Sequence, residues 1–381
     1  MTVITNGVHI NILFERKLMN TPLDLPQLII GDLTVPLPII QGGMGVAISM
    51  AGLAAAVANE GGVGVIATPG IALNEPDLET NFWEANLRAL RTEIRKARAN
   101  TRGLIGVNIM VALTNFEQLA RTAMEEKIDF VFSGAGLPMN LPAYRPEGSR
   151  TKLVPIVSSG RAAAIIARRW KERFDYLPDA FVVEGPLAGG HIGFKLEQID
   201  DPAYAVEKLT CDVLDVARGL EQKYQRRLPV IPAGGIYTGA DIRRFLDMGA
   251  AGAQMATRFV TTVECDAAAA FKQAYIDARE SDLVIIKSPV GMPGRAIRNK
   301  FLDEVLKGQK IPYTCSYHCI ITCDMKNSQY CIAHALVSAS CGQLDDGFAF
   351  AGSNAWRATK IITVKQLFED LREEYRRSAP S

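Results

Sequence analysis

Short apolar runs alternate with longer stretches of mixed apolar and charged residues along most of the chain. The runs show little strict polar alternation, which is typical of strands buried on both faces of a parallel sheet. Eight of them predict strands at residues 36–41, 63–67, 104–110, 129–133, 153–158, 180–184, 228–233 and 252–257. The intervening stretches predict helices near residues 49–59, 79–100, 115–126, 161–172 and 204–225.

This alternation of strand and helix predicts the fold class. Strand–helix–strand units imply parallel pairing through crossover connections. Eight such units favour an α/β fold of the TIM type, a closed (β/α)8 barrel. An open, doubly wound sheet is the alternative that the pattern leaves open.

The rhythm breaks after about residue 281. A Gly/Pro-rich run at residues 288–295 and a cysteine-rich stretch follow, and a helix-like pattern at residues 364–377 closes the chain. The 381 residues also exceed the roughly 250 of a typical barrel. We therefore expect a barrel over residues 1–281 and a cysteine-bearing C-terminal extension over residues 282–381, packed over the barrel mouth.

Charge and targeting patterns narrow the function classes. Lys plus Arg number 42 and Asp plus Glu 41, so the net charge of +1 makes no electrostatic case for nucleic acid or an anionic membrane. The most apolar stretch, residues 44–58, is interrupted by polar residues and is no membrane span. The first twenty residues lack a secretory signal pattern. We expect a cytoplasmic protein that acts on a small molecule, and the oligomeric state stays open.

Small and polar residues follow almost every predicted strand. In a barrel, active sites form at these carboxyl ends, and the last two strands commonly grip a phosphate. Glycine lets backbone N–H groups approach a ligand closely, and turns rich in N–H groups favour phosphate. The turns at residues 233–236 and 256–258 are the phosphate candidates. For any single glycine, a tight turn without a ligand is the alternative.

His191 is the sharpest single candidate. It is one of four histidines and lies in the glycine-rich loop at residues 188–193, after the sixth strand. A lone histidine is more often structural than catalytic. However, an ordinary histidine pKa near ~6.5 suits proton transfer at neutral pH, and this loop lies at the functional face. We therefore predict that His191 is catalytic.

Several motifs resemble one enzyme family. The runs IIQGGMG (39–45), VNIM (107–110), EGPLAGGHIG (184–193), IPAGGI (231–236) and GAQMATRF (252–259) are similar to those of nitronate monooxygenases, formerly called 2-nitropropane dioxygenases. FMN-dependent enoyl-[acyl-carrier-protein] reductases belong to the same superfamily. The resemblance covers roughly residues 30–300 and includes GRAIRN at 294–299.

The resemblance implies an FMN-dependent barrel and assigns roles to its motif residues. It implies Gly42, Gly43 and Met44 near the flavin ring, Asn108 and Glu184 at ring or ribityl level, Gly189 and Gly190 along the cofactor, and Gly234, Gly235, Met255, Ala256 and Thr257 at the phosphate. His191 corresponds to the active-site histidine. The family often has glycine where this chain has Ala256, a change that leaves the backbone N–H donor in place.

Five of the seven cysteines lie between Cys315 and Cys341. On a helix, Cys315, Cys319 and Cys323 would share one face. Together with Cys331 they could bind zinc or an iron–sulfur cluster, although their spacing matches neither common zinc pairs nor the bacterial ferredoxin run. Buried free thiols are the alternative. The aromatic, glycine-rich run at residues 347–357 could close over the flavin or form a surface turn.

Three functions remain. The first is oxidation of a nitronate with O₂, with His191 as a hydrogen-bond donor or as a base toward a neutral nitroalkane. The second is reduction of FMN by NAD(P)H, followed by reduction of an enoyl thioester or a quinone. The third is a flavin-binding or regulatory barrel without activity.

Overall fold

The computed structural model describes residues 24–315 and 317–379. The first twenty residues, on which the expectation of no signal pattern rests, lie outside the described residues. The strands are β1 (Leu28–Ile30), β2 (Leu33–Val35), β3 (Ile39–Gln41), β4 (Gly64–Ala67), β5 (Ile105–Met110), β6 (Phe130–Gly134), β7 (Lys152–Val157), β8 (Phe181–Glu184), β9 (Gly190–His191), β10 (Val230–Ala233), β11 (Ala253–Met255), β12 (Leu283–Lys287) and β13 (Pro293–Ile297).

The helices lie mostly between these strands. They are α1 (Ala51–Asn59), α2 (Phe82–Asn100), α3 (Phe116–Glu125), α4 (Gly160–Phe174), α5 (Val206–Tyr224), α6 (Gly239–Asp247), α7 (Thr257–Val260), α8 (Ala269–Asp277), α9 (Lys300–Leu306), α10 (Ile332–Ser340) and α11 (Val364–Arg377). Short 3₁₀ turns occur at Leu141–Tyr144, Leu196–Gln198, Pro202–Tyr204, Glu280–Asp282 and Ala355–Arg357.

Eight strands form one parallel sheet in the order β3-β11-β10-β8-β7-β6-β5-β4. The two ends of this order meet, because the Gln41 amide donates to the Val63 carbonyl at 2.9 Å and the Val63 amide donates to the Ile39 carbonyl at 2.9 Å. The closed sheet, flanked by helices, confirms the predicted TIM-type barrel and excludes the open sheet. Each of the eight predicted strand runs overlaps one barrel strand, and β6 and β7 each extend one residue beyond the predicted run.

The barrel interior is a packed core rather than a pore. Inward-facing residues such as Val65, Phe132 and Val182 form one buried cluster. The antiparallel hairpin of β1 and β2 contributes Leu28 and Val35 to the same cluster. This hairpin closes the amino-terminal end of the barrel, which leaves the carboxyl ends of the strands as the open face.

The C-terminal part of the chain is built into the barrel at two places. Helix α11 packs against α6 and α1. It thereby occupies the position of an eighth outer helix, because α7, with four residues, is too short to fill it. Strand β13 pairs with β12 and with β9, so the tail joins the loop that follows β8. The boundary after residue 281 stays a prediction, and these contacts cross it.

The cysteine-rich stretch is not helical. Between α9 and α10 the described residues contain no helix, so the prediction that Cys315, Cys319 and Cys323 share one helical face is wrong. The β-branched Ile320 pairs instead with Leu113 in an isolated antiparallel bridge.

Candidate active site

A cavity of about 760 Å³ opens at the carboxyl ends of the barrel strands. Turns after the strands form one wall, and the C-terminal tail forms the other. All the residues singled out for cofactor and catalysis line it: Gly42, Gly43, Met44, Asn108, Glu184, Gly189, Gly190, His191, Gly234, Gly235, Met255, Ala256 and Thr257. The barrel therefore gathers into one place residues that are up to 215 positions apart in the chain.

The register of the parallel strands explains this gathering. Glu184 at the end of β8 lies opposite Ala233 at the end of β10, and Ala233 lies opposite Gln254 of β11. On the other side of the barrel, Asn108 of β5 lies opposite Ala67 at the end of β4. Since neighbouring strands end in step, the turns that follow them start at one level and face one cavity.

The turns after β10 and β11 offer backbone donors to this cavity. Gly234 and Gly235 adopt φ values of +88° and +83°, a left-handed conformation that side chains other than glycine rarely adopt. Within the described part of the chain, the N–H groups of Gly234, Gly235 and Ala256 donate to no other group. Neighbouring N–H groups without partners on a cavity wall are suited to an anion. The phosphate role of these turns stays a prediction.

His191 is held at the edge of the cavity by the tail. It lies in β9 opposite Gly294 of β13. Its Nε2 is 2.7 Å from the Ser288 hydroxyl oxygen, and its ring meets Phe350 edge to face at 5.0 Å. Burial lowers the pKa of His191 to about 4. The imidazole is therefore neutral at pH 7, with one ring nitrogen free to accept, and it is a weaker base than an ordinary histidine.

A buried arginine fixes the loop that carries this histidine. The Arg295 guanidinium donates to the carbonyls of Pro186 at 2.7 Å and Ala188 at 3.1 Å. Burial lowers the pKa of Arg295. Arg295 thus binds two backbone carbonyls and no carboxylate, and these hydrogen bonds connect the loop between β8 and β9 to β13. The GRAIRN run, to which Arg295 belongs, therefore has a structural role beside the site.

Glu184 faces the cavity from the end of β8. Burial alone raises the pKa of its carboxyl group to about 7. Among the described residues, no charged or hydrogen-bonding group offsets this desolvation. A half-buried carboxyl that faces a cavity without a partner is suited to hydrogen bonding with a ligand, and at neutral pH it is partly protonated and can donate.

The tail supplies lining residues from the run at 347–357, which the sequence indicated as a segment that could close over the site but not residue by residue. The Ser353 amide donates to the Leu187 carbonyl at 3.1 Å, and the Asn354 side chain donates to the Gly235 carbonyl at 2.8 Å. A Cβ on Gly352 would lie 2.6 Å from the Thr257 hydroxyl oxygen, so this segment touches the phosphate candidate turn. The Ser353 hydroxyl has no hydrogen-bond partner among the described residues. The glycine-rich run at 347–357 was the one sequence signal for this segment.

The cysteines form no metal centre in the part of the chain described here. Cys315, Cys319 and Cys331 line the cavity, whereas Cys323 lies outside its lining. In residues 24–315 and 317–379, no three His, Cys, Asp or Glu side chains are grouped so that they could hold a metal ion. Cys319 and Cys323 pack against the apolar core. Burial, with the other thiols adding to it, raises the pKa of Cys319 to about 12. The zinc or cluster prediction thus has no support, and the buried-thiol alternative fits these contacts.

A closed barrel with a glycine-lined anion cradle and a half-buried histidine at its mouth has the architecture of an FMN-type oxidoreductase. The family model described as "Nitronate monooxygenase" matches residues 27–374, and the chain belongs to this family of oxidoreductase enzymes.

Relatives within the superfamily carry different names. A "Probable nitronate monooxygenase" of Staphylococcus aureus (strain Newman) is 27% identical over 72% of this chain and 78% of that protein. The "(3aS,4S,5R,7aS)-5-hydroxy-7a-methyl-1-oxo-octahydro-1H-indene-4-carboxyl-CoA dehydrogenase" of Mycobacterium tuberculosis is 28% identical over 72% of this chain, and the match spans 66% of that protein, just under two thirds.

Solved structures give the same picture of the fold. FabK from Thermotoga maritima is 28% identical, with a TM-score of 0.68 over 90% of this chain and 93% of that chain. A nitroalkane oxidase from Streptomyces ansochromogenes has a TM-score of 0.67 over 90% and 97%, and at 21% identity it bears on the fold alone. No helix in the described residues is long and apolar enough to cross a membrane.

Proposed function

We propose that the chain binds FMN at the barrel mouth and oxidises nitronates, or the nitroalkanes from which they form, with O₂. The observation that carries the proposal is the cradle itself: unpartnered N–H groups of Gly234, Gly235 and Ala256 at one end of the cavity and His191 in its wall. When bound, FMN supplies the electron transfer, and the protein supplies position and electrostatics.

The cradle fits a flavin phosphate without a cationic side chain. Backbone N–H groups and the hydroxyls of Thr257 and Ser353 would hold the phosphate. Gly42, Gly43, Met44, Gly189 and Gly190 would lie along the ring and ribityl chain, with Asn108 and Glu184 as polar partners. Met255 would pack beneath the phosphate turn. These roles agree with the residues that the resemblance implies.

His191 would act as a base toward a neutral nitroalkane. Its depressed pKa keeps the imidazole neutral, and Ser288 fixes the orientation of the ring. A proton taken from the carbon beside the nitro group would pass to a ring nitrogen, which leaves a nitronate next to the cofactor. The same neutral ring could also form a hydrogen bond with a nitronate that arrives from solution. In that case the ring N–H would be the donor.

The test uses the purified holoenzyme with propionate 3-nitronate and with nitroethane. We expect bleaching of the flavin absorbance without oxygen and oxygen consumption when air is admitted. A protein that purifies with FMN but neither bleaches nor consumes oxygen with either compound excludes this function. A protein that takes up no FMN removes the basis of the proposal altogether.

A second candidate is an NAD(P)H-dependent FMN reductase that acts on an enoyl thioester or a quinone. Its support is the likeness to FabK and to a dehydrogenase named for a carboxyl-CoA substrate. Rapid anaerobic bleaching by NADH or NADPH favours this function, and inertness toward both favours the monooxygenase. Under either candidate we propose a cytoplasmic enzyme whose partners are small molecules.

A further inference from the structure

The tail side of the cavity is distinct in chemistry from the barrel side. Besides the strand-end turns, the cavity is lined by α2 and by the segment that we call the cap, residues 311–315 and 317–337. The cap is anchored over the barrel mouth, because the Thr114 amide donates to the Cys319 carbonyl at 3.2 Å and the Ile321 amide donates to the Ala112 carbonyl at 2.9 Å.

The cap and α2 together form an apolar wall. Phe82 at the start of α2 stacks on Tyr317 of the cap, with ring centroids 4.4 Å apart and ring planes 6° apart. Ile320, Leu336 and Val337 line the cavity beside this pair. Such a wall stabilises apolar groups by about 0.8 kcal/mol for each methylene that it removes from water.

The cavity also lacks a Lys or Arg counter-charge. Among its described lining residues none is Lys or Arg, the histidines are His191 and the exposed His334 of the cap, and the acidic residues are Glu79 and Glu184. His191 is neutral at pH 7 because its pKa is about 4, and burial raises the pKa of Tyr317 to about 12. An anionic group placed beside His191 would lose its hydration without gaining an opposite charge, which is unfavourable.

We propose that the cavity takes a substrate whose reacting part is uncharged and whose body is apolar and extended, with that body lying against the cap. This inference rests on the proposed function for the position of the reacting centre beside His191, and it names the substrate class of that site. It favours neutral nitroalkanes with longer chains, or thioesters with an apolar acyl or ring group. Small nitronate anions such as propionate 3-nitronate are then weakly bound substrates of the proposed reaction, which need a higher concentration to react. Tyr317 and Phe82 are then residues that determine specificity.

The proposal is tested by calorimetric titration of the holoenzyme with two inert series, butanamide to octanamide and butanoate to octanoate. The amide and carboxylate of one length differ mainly in charge. We expect the dissociation constant of the amides to fall about 15-fold for every two methylenes, the equivalent of ~0.8 kcal/mol each. We expect octanoate to bind at least about tenfold more weakly than octanamide. Octanoate binding as tightly as octanamide, or a change below about threefold from butanamide to octanamide, overturns the proposal.

Two variants locate the binding. Tyr317→Ala is expected to weaken octanamide binding about tenfold and to leave butanamide nearly unchanged, since only the longer chain reaches the cap. Tyr224→Ala, the same change at the end of α5, away from the cavity, is the matched control. Thr314→Lys, at an exposed position of the cavity lining, provides a second test if Tyr317→Ala fails to fold. It supplies the missing positive charge and should raise the affinity for octanoate; no gain there contradicts the charge argument.

The readout is separate from the proposed chemistry. Calorimetry needs neither turnover nor a flavin signal, and the FMN content is measured from the absorbance spectrum of the same sample. A sample that holds FMN, fails to oxidise nitro compounds and still prefers long amides would refute the proposed function alone. A sample that oxidises nitro compounds but binds carboxylates and amides equally would refute this inference alone.

Discussion

The barrel wall and the tail wall of the cavity are built by different kinds of interaction. The barrel wall is a ring of strand ends whose level is set by parallel ladders, so Glu184 and Asn108 reach the cavity through backbone pairing. The tail wall consists mostly of loops, which are held by single contacts such as Ser288 to His191 and Asn354 to Gly235. The comparison teaches that the barrel wall is set rigidly enough to position the proposed cofactor, while the tail wall would complete and tune the site.

The largest effect is expected at His191, where the barrel wall and the tail wall meet. His191→Ala removes the group that both walls position, and we expect the turnover number to fall by about 10²–10⁴-fold while FMN stays bound. Turnover with the best nitro substrate and the flavin absorbance spectrum measure the two quantities. Tyr224→Ala, at the end of α5 and outside the cavity lining, is the control and should stay within a few-fold of the wild type. Equal losses in the two variants would contradict a catalytic role for His191.

The barrel wall could be predicted from the sequence because its order is local and repeated. Runs buried on both faces identify the strands, and glycines at their ends identify the turns. Helix α11 was predicted at residues 364–377, its observed bounds, since its apolar positions recur at helical spacing. The eighth strand ended earlier than predicted, at Met255, because the next turn continues into α7.

The tail wall could not be predicted in the same way. Ser288 lies 97 positions from His191, and nothing local at a serine in a Gly/Pro-rich run indicates its partner. The hairpin of β12 and β13 pairs with a two-residue strand, β9, which is too short to leave a periodic pattern. The spacing of Cys315, Cys319 and Cys323 fits a helical face, but the stretch forms loops because contacts with the β5–α3 connection override local spacing.

A second prediction asks whether the tail must touch the barrel loop. A Cβ on Gly189 would lie 2.6 Å from the backbone at Ala351 and Gly352, so Gly189→Ala forces the two walls apart. We expect a loss of about 1–3 kcal/mol in the free energy of unfolding and a weaker FMN affinity. Thermal unfolding and fluorescence titration with FMN measure these effects.

Gly193→Ala is the matched control, because a Cβ on Gly193 in the same loop meets nothing within 4 Å. We expect it to behave like the wild type to within about 0.5 kcal/mol. If Gly189→Ala binds FMN as tightly as Gly193→Ala does, the two walls are energetically independent at the cofactor.

A third prediction concerns the part of the phosphate cradle that the tail supplies. Ser353→Ala removes an unpartnered hydroxyl beside Thr257, and we expect about a tenfold weaker FMN affinity, the range of one hydrogen bond to a charged group. Riboflavin lacks the phosphate, so its affinity should not change. Ser281→Ala, at an exposed position outside the cavity, is the control. A parallel loss for FMN and riboflavin would mean that Ser353 acts on the ring or the fold instead of the phosphate.

The smallest expected effect isolates the barrel wall. Glu184 has a folded-state pKa of about 7, above its ordinary 4.5, so the fold favours the protonated carboxyl. The stabilisation from that preference is fully present below pH 4.5 and is lost as the pH rises through 7. If the protonated carboxyl donates to the flavin, FMN affinity should fall severalfold between pH 6 and 8. His191 does not contribute to this change, since its pKa is about 4 and it stays neutral throughout that range.

Titration of FMN fluorescence across this range measures the effect, and Glu184→Gln separates its origin. The glutamine amide keeps a donor at every pH, so the variant should bind FMN with a flat pH profile. Glu79→Gln, at an exposed position on the same cavity, should keep the wild-type slope. If the FMN affinity of Glu184→Gln still falls with rising pH, the titrating group belongs to the flavin or to the tail wall. The barrel wall would then act through its backbone alone.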